Sequence, residues 1–131
     1  MTTAIICTAI LAAMLLALGL NVSRVRGVTR KTGGSQFPDD PASGLLKAIR
    51  AHGNSAEYVP TLMVLFLLAG ARSPAAVAIP LIAGATISRL VIAYGLLTCP
   101  SLATPTASRL AGAAGTYLFG IGLAAAAVAS L

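Results

Sequence analysis

Charge is scarce in this chain of 131 residues: only 9% of them are ionisable Asp, Glu, Lys or Arg, and just three are acidic. A soluble domain carries about 25%. Tryptophan is absent and aromatics reach only 5%. That removes the aromatic lining a pocket for organic cations needs, and the stacking platforms of a nucleic-acid groove. Histidine occurs once, as His52, and cysteine twice, as Cys7 and Cys99. None has metal-ligand spacing, so no zinc site is expected. The cysteines fall near opposite ends of the expected helices, so no disulfide is expected either.

What fills the chain instead is apolar. Hydrophobic residues make up 57%, and mean hydropathy is +0.91. This is the composition of a membrane protein. Met1 to Ser23 carries no charged side chain. Without a positively charged leading region it reads as a retained helix and not as a signal peptide. Four apolar segments predict an all-α integral membrane protein, a single-domain bundle of four transmembrane helices over 1–131. The expected helices are about 3–23, 42–71, 75–97 and 107–130. Pro60 falls within the second and Pro80 within the third. Asp39 or Asp40 before Pro41 reads as the second helix's N-cap. Gly112, Gly115, Gly120 and Gly122 give the fourth a small-residue surface for close packing.

The net charge is +6, and it is concentrated. Arg24, Arg26, Arg30 and Lys31 fall in the expected first loop, with Lys47 and Arg50 just beyond. In short loops this is a positive-inside signal. It predicts a cytoplasmic first loop with both termini on the other side. No nucleic-acid partner is expected. Membrane lipids are.

Arg50, Asn54 and Glu57 stand at i, i+4 and i+7, so a helix carries them on one face. Intramembrane ionisable groups are costly and point to function. The predicted topology brings Arg89 and Tyr94 of the third helix, and Arg109 of the fourth, to the same end. Three arginines exceed the single carboxylate of Glu57. The surplus calls for an anion, and guanidinium forks suit carboxylate or phosphate. Lys47 reads as a headgroup contact, and Tyr117 as a packing aromatic.

The run Arg50-Ala51-His52-Gly53-Asn54-Ser55-Ala56-Glu57-Tyr58-Val59-Pro60 resembles the helix 2 signature of the MAPEG family, the membrane-associated proteins in eicosanoid and glutathione metabolism, above all its bacterial branch. Arg89-Leu90-Val91-Ile92-Ala93-Tyr94-Gly95 and Arg109-Leu110-Ala111-Gly112 are similar to later family motifs. The resemblance implies a homotrimer in a bacterial inner membrane, with glutathione as co-substrate between subunits near the cytoplasmic face. Arg50, Asn54, Glu57, Arg89 and Tyr94 would bind it. Arg109 would be the catalytic residue that stabilises its thiolate, which attacks a lipophilic electrophile. The implied activity is that of a glutathione transferase or peroxidase. Ile92 stands where close relatives often carry histidine, and Gly53 where some eukaryotic members carry arginine. A small proton-coupled transporter using Glu57, and an inactive membrane binding protein of the same fold, are the alternative readings.

Overall fold

Helices Thr2–Lys31 (α1), Gly44–Arg72 (α2), Ala75–Thr98 (α3) and Ala107–Ala129 (α4) make up the computed structural model, which describes residues 1–131. All four are long and apolar enough to cross a membrane. At about 1.5 Å per residue, α1 and α2 outreach a hydrocarbon core of about 30 Å.

Two expectations are corrected. The first helix does not stop at residue 23. It continues for eight residues, carrying Arg24, Arg26, Arg30 and Lys31 on helix and not in a loop. The polar residues that suggested an end are satisfied within the helix. Ser23 Oγ donates to Gly19 O at 3.3 Å, and Arg24 Nη2 to Asn21 Oδ1 at 3.1 Å. Arg30 and Lys31 in the last turn complement the helix dipole. The true stop is Gly33, at φ 72. Its N–H donates to Arg30 O, and that of Gly34 to Thr29 O. These are the paired bonds of a Schellman ending, whose left-handed residue favours glycine.

The second correction is the start of α2. Its N-cap is Ser43, whose Oγ accepts from Leu46 N at 3.4 Å. Asp40 Oδ1 instead accepts from Ala42 N at 2.8 Å. The carboxylate closes a side-chain turn around Pro41, and the helix begins only after that turn.

Helices α2 and α3 pack together in the middle. α1 covers one side, touching both. α4 covers the other, touching both, and never meets α1. One core cluster joins Leu11, Val59, Phe66, Ile82 and Leu123. A second, of Leu18, Ala51, Ile92, Ala93 and Leu96, lies toward the first loop. Leu16, Leu20, Leu118 and Ile121 are exposed, as lipid-facing side chains should be. Lipid tails are as apolar as leucine, so hydrophobic transfer contributes little between these helices. Close approach and dispersion must hold them together.

Glycines provide that approach along α3–α4. A Cβ on Gly112 would lie 2.6 Å from the backbone nitrogen of Ile92, and one on Gly95 would lie 2.6 Å from Ser108 Oγ. A Cβ on Gly115 would collide with Ser88 Oγ. Gly112→Val should therefore push the two helices apart, at about 1–3 kcal/mol. Thermal unfolding in detergent would register it as a lower midpoint. An unchanged midpoint would mean that the seam is not tightly packed.

The loops at one end are tied together. Leu102 N donates to Pro41 O at 2.8 Å. Lys47 Nζ donates to Cys99 O at 3.2 Å, placing a cation on the C-terminus of α3. Lys47 is thus a cap between helices and not merely a headgroup contact.

Candidate ligand site at the first-loop end

Arg89 is the least ordinary side chain in the bundle. It sits on α3 about two turns from the helix end, and is 1% exposed. No carboxylate meets it. Nη2 donates to Asn54 Oδ1 at 2.8 Å, to Asn54 O at 3.1 Å and to Ser55 Oγ at 3.4 Å. Its Cζ lies 5.1 Å from the centroid of the Tyr58 ring, within cation–π range. Its Nε has no partner. The cation is held by an amide and a π face. Its charge is therefore offset but not neutralised.

Asn54 is half-buried. It joins Arg50 and Arg109 in lining a pocket of ≈ 240 Å³, walled by Ile92, Leu96 and Pro105. No acidic residue lines it. Arg50 reaches it from the exposed side of α2.

Arg109 reaches it from the first turn of α4. Its Nη1 donates to Thr104 O at 2.8 Å and to Leu102 O at 3.2 Å. The loop carbonyls thereby anchor one arm of the guanidinium fork, leaving its other nitrogens without protein acceptors. Gly95 allows this, because a Cβ there would press within 3.1 Å of the Arg109 backbone. Two guanidinium groups converging without a carboxylate form a site for an anion.

Of the six residues singled out by sequence, Arg50, Asn54 and Arg109 line this pocket, with Arg89 fixing Asn54 from behind. Glu57 and Tyr94 do not line it. Glu57 is exposed on the outer face of α2 and pairs with none of the arginines. Tyr94 is 65% exposed. Five residues past Arg89 on a helix, it points well away from it.

Sequence reading missed Tyr58, Ser55 and the role of Tyr117. Tyr58 Oη and Tyr117 Oη lie 2.8 Å apart, bridging α2 and α4. The available signal for Tyr58 was its i+4 spacing from Asn54, which puts both on one face. Nothing in the sequence pairs it with Tyr117.

A family model describing the MAPEG family matches residues 4–129, nearly the whole chain. The chain belongs to the MAPEG family. Neither a curated protein nor a solved structure matches it. It is a multi-pass integral membrane protein with an all-helical, four-helix MAPEG fold. In this MAPEG protein Ile92 forms part of the pocket wall and makes that part of it apolar. Gly53 faces open space, with nothing within 4 Å of where its Cβ would stand.

Proposed function

We propose that this protein binds glutathione in the Arg50–Asn54–Arg109 pocket and joins the peptide through its sulfur to a lipophilic electrophile, or reduces a lipophilic peroxide as two glutathione thiols are oxidised to the disulfide. The carrying observation is the convergence of two arginines and an amide on one pocket that no acidic side chain lines. MAPEG proteins are generally glutathione-dependent membrane transferases or peroxidases. A tripeptide carboxylate suits the Arg50 guanidinium, which leaves Arg109 for the thiol, and Asn54 offers both a donor and an acceptor to the peptide amides.

Arg109 is the group we assign to the thiol. A cation beside a thiol favours the thiolate, which is the nucleophile. The thiol proton leaves to water, and sulfur then attacks the electrophile.

The pocket is smaller than the roughly 300–1,000 Å³ usual for ligand sites, and it is open on one side. A neighbouring subunit in a homotrimer would close it. Glu57 and Tyr94, both exposed, would take part only across such a boundary. Glu57 would then meet the ligand's ammonium group. The basic end of α1 supports a cytoplasmic first loop. A transporter reading would require Glu57 to face a cavity, and it lines none of the pockets described.

A chlorodinitrobenzene tests the transferase reading. Sulfur bonds to the ring carbon and chloride leaves. Wild-type protein in detergent should release chloride only when glutathione is present. Arg50→Ala should raise the KM for glutathione about 10–100-fold, the equivalent of one charge-assisted hydrogen bond of about 1.5–3 kcal/mol, with little change in kcat. An unaltered KM would remove Arg50 from the site.

A further inference from the structure

Both arginines of the pocket depend on the start of α2. Arg50 stands on α2 itself, about one turn after Lys47. Arg109 stands on α4, but its guanidinium is fixed by Leu102 O and Thr104 O of the loop between α3 and α4. That loop is tied back to the α2 end at two points. Leu102 N donates to Pro41 O at 2.8 Å, just ahead of the Ser43 cap. Lys47 Nζ donates to Cys99 O at 3.2 Å. The loop thus links the position of Arg109 to the helix that carries Arg50.

The loop is stiff enough to carry such a constraint. Pro100 and Pro105 each fix a φ angle near about −65°. Ser101 Oγ accepts from Ala103 N at 3.2 Å. The Leu102 side chain packs on the second core cluster, and Pro105 lines the arginine pocket. A displacement at Cys99 therefore passes along the loop to Leu102 and Thr104. Of the two ties, Lys47 is the charged one, and a charged donor holds a carbonyl roughly twice as strongly as a neutral one. It is half-buried, and the C-terminus of α3 favours a cation there. Lys47 does not line the pocket, so its influence on a ligand passes through the loop.

We propose that Lys47 is a positioning residue for Arg109. By holding Cys99 O it keeps the loop, and with it the Arg109 guanidinium, at a fixed distance from Arg50. The consequence for a thiol rests on the glutathione reading; the positioning itself does not.

Lys47→Met keeps the apolar stem and removes the donor. At saturating glutathione, thiolate absorbance in this variant should appear at higher pH than in wild type, because a wandering cation stabilises the thiolate less. The kcat should fall about 10-fold, short of the roughly 10²-fold that a full misplacement costs. The KM should change less than about twofold, since Arg50 and Asn54 are charged and amide contacts that Lys47 does not hold. Lys47→Arg returns a charged donor and should restore the wild-type pH profile. Phe66→Leu, in the first core cluster, should lower the unfolding midpoint without moving that profile. A second readout needs no glutathione. Nitrogen NMR of the Arg109 guanidinium, assigned with Arg109→Lys, should show separate Nη signals in wild type and one averaged signal in Lys47→Met. A thiolate profile that is unchanged in Lys47→Met, or that Phe66→Leu shifts as far, overturns the proposal. If wild type forms no thiolate, the glutathione reading fails and the NMR alone decides. Separate signals that merge in Lys47→Met then support the positioning, and the same pattern in both proteins overturns it.

Discussion

Arg109→Ala is expected to lower glutathione-dependent turnover about 10²–10³-fold, the usual effect of deleting one preorganised donor at a developing or stabilised anion. The geometry favours a large effect because the guanidinium is already fixed. The carbonyls of Thr104 and Leu102 hold Nη1, so little side-chain entropy remains to be lost when ligand binds. Without the cation, the bound thiol's pKa should rise toward that of free thiol, and the thiolate's ultraviolet absorbance at saturating glutathione should fall. Arg109→Lys should recover part of the absorbance, because the charge returns, but less of the turnover, because the anchored fork does not. Equal thiolate absorbance in wild type and Arg109→Ala would assign the thiol to another group.

Arg89 should separate stability from binding. Arg89→Ala removes a fully buried long side chain and strips Asn54 of its donor. A cavity of that kind costs about 3–5 kcal/mol, seen as a large drop in the unfolding midpoint. Arg89→Met fills most of the space with an uncharged chain. The charge it removes costs several kcal/mol to bury without a carboxylate. The bonds it loses return about 1.5–3 kcal/mol each when charged, and the Tyr58 contact returns about 2 kcal/mol. The three bonds and the ring contact are lost together with the buried charge, so Arg89→Met should lower the unfolding midpoint by less than Arg89→Ala does, because the space stays filled. Glutathione affinity should nonetheless fall at least tenfold, because Asn54 is no longer held toward the pocket. If methionine destabilises as severely as alanine, Arg89 serves the fold and not the site.

Much of the bundle was legible because its signals are local. Apolar runs, Pro74 and the loop prolines mark α2, α3 and α4 to within two residues. The end of α1 was not legible. Asn21 and Ser23 look like a boundary in isolation, but their side chains find partners one turn away, and the stop depends on the conformation of Gly33.

The site divides along the same line. Arg50, Asn54, Arg89 and Arg109 could be gathered from helix period and topology. Whether Asn54 or Glu57 would meet Arg89 depends on side-chain rotation about α2, which a stripe from Arg50 to Glu57 leaves open. The Tyr58–Tyr117 bridge depends on how α4 sits against α2, which is set by the glycine contacts of α4 with α3. No spacing along one helix encodes that.

The central claim is that Arg50, Asn54 and Arg109 form one glutathione site. Titration calorimetry of reduced glutathione into the detergent-purified protein tests it most directly. The account predicts a saturable binding heat that Arg50→Ala and Arg109→Ala each weaken at least tenfold, while the conservative lipid-facing change Leu118→Val leaves it intact. No heat from folded wild-type protein, or the same affinity in all four proteins, would contradict it.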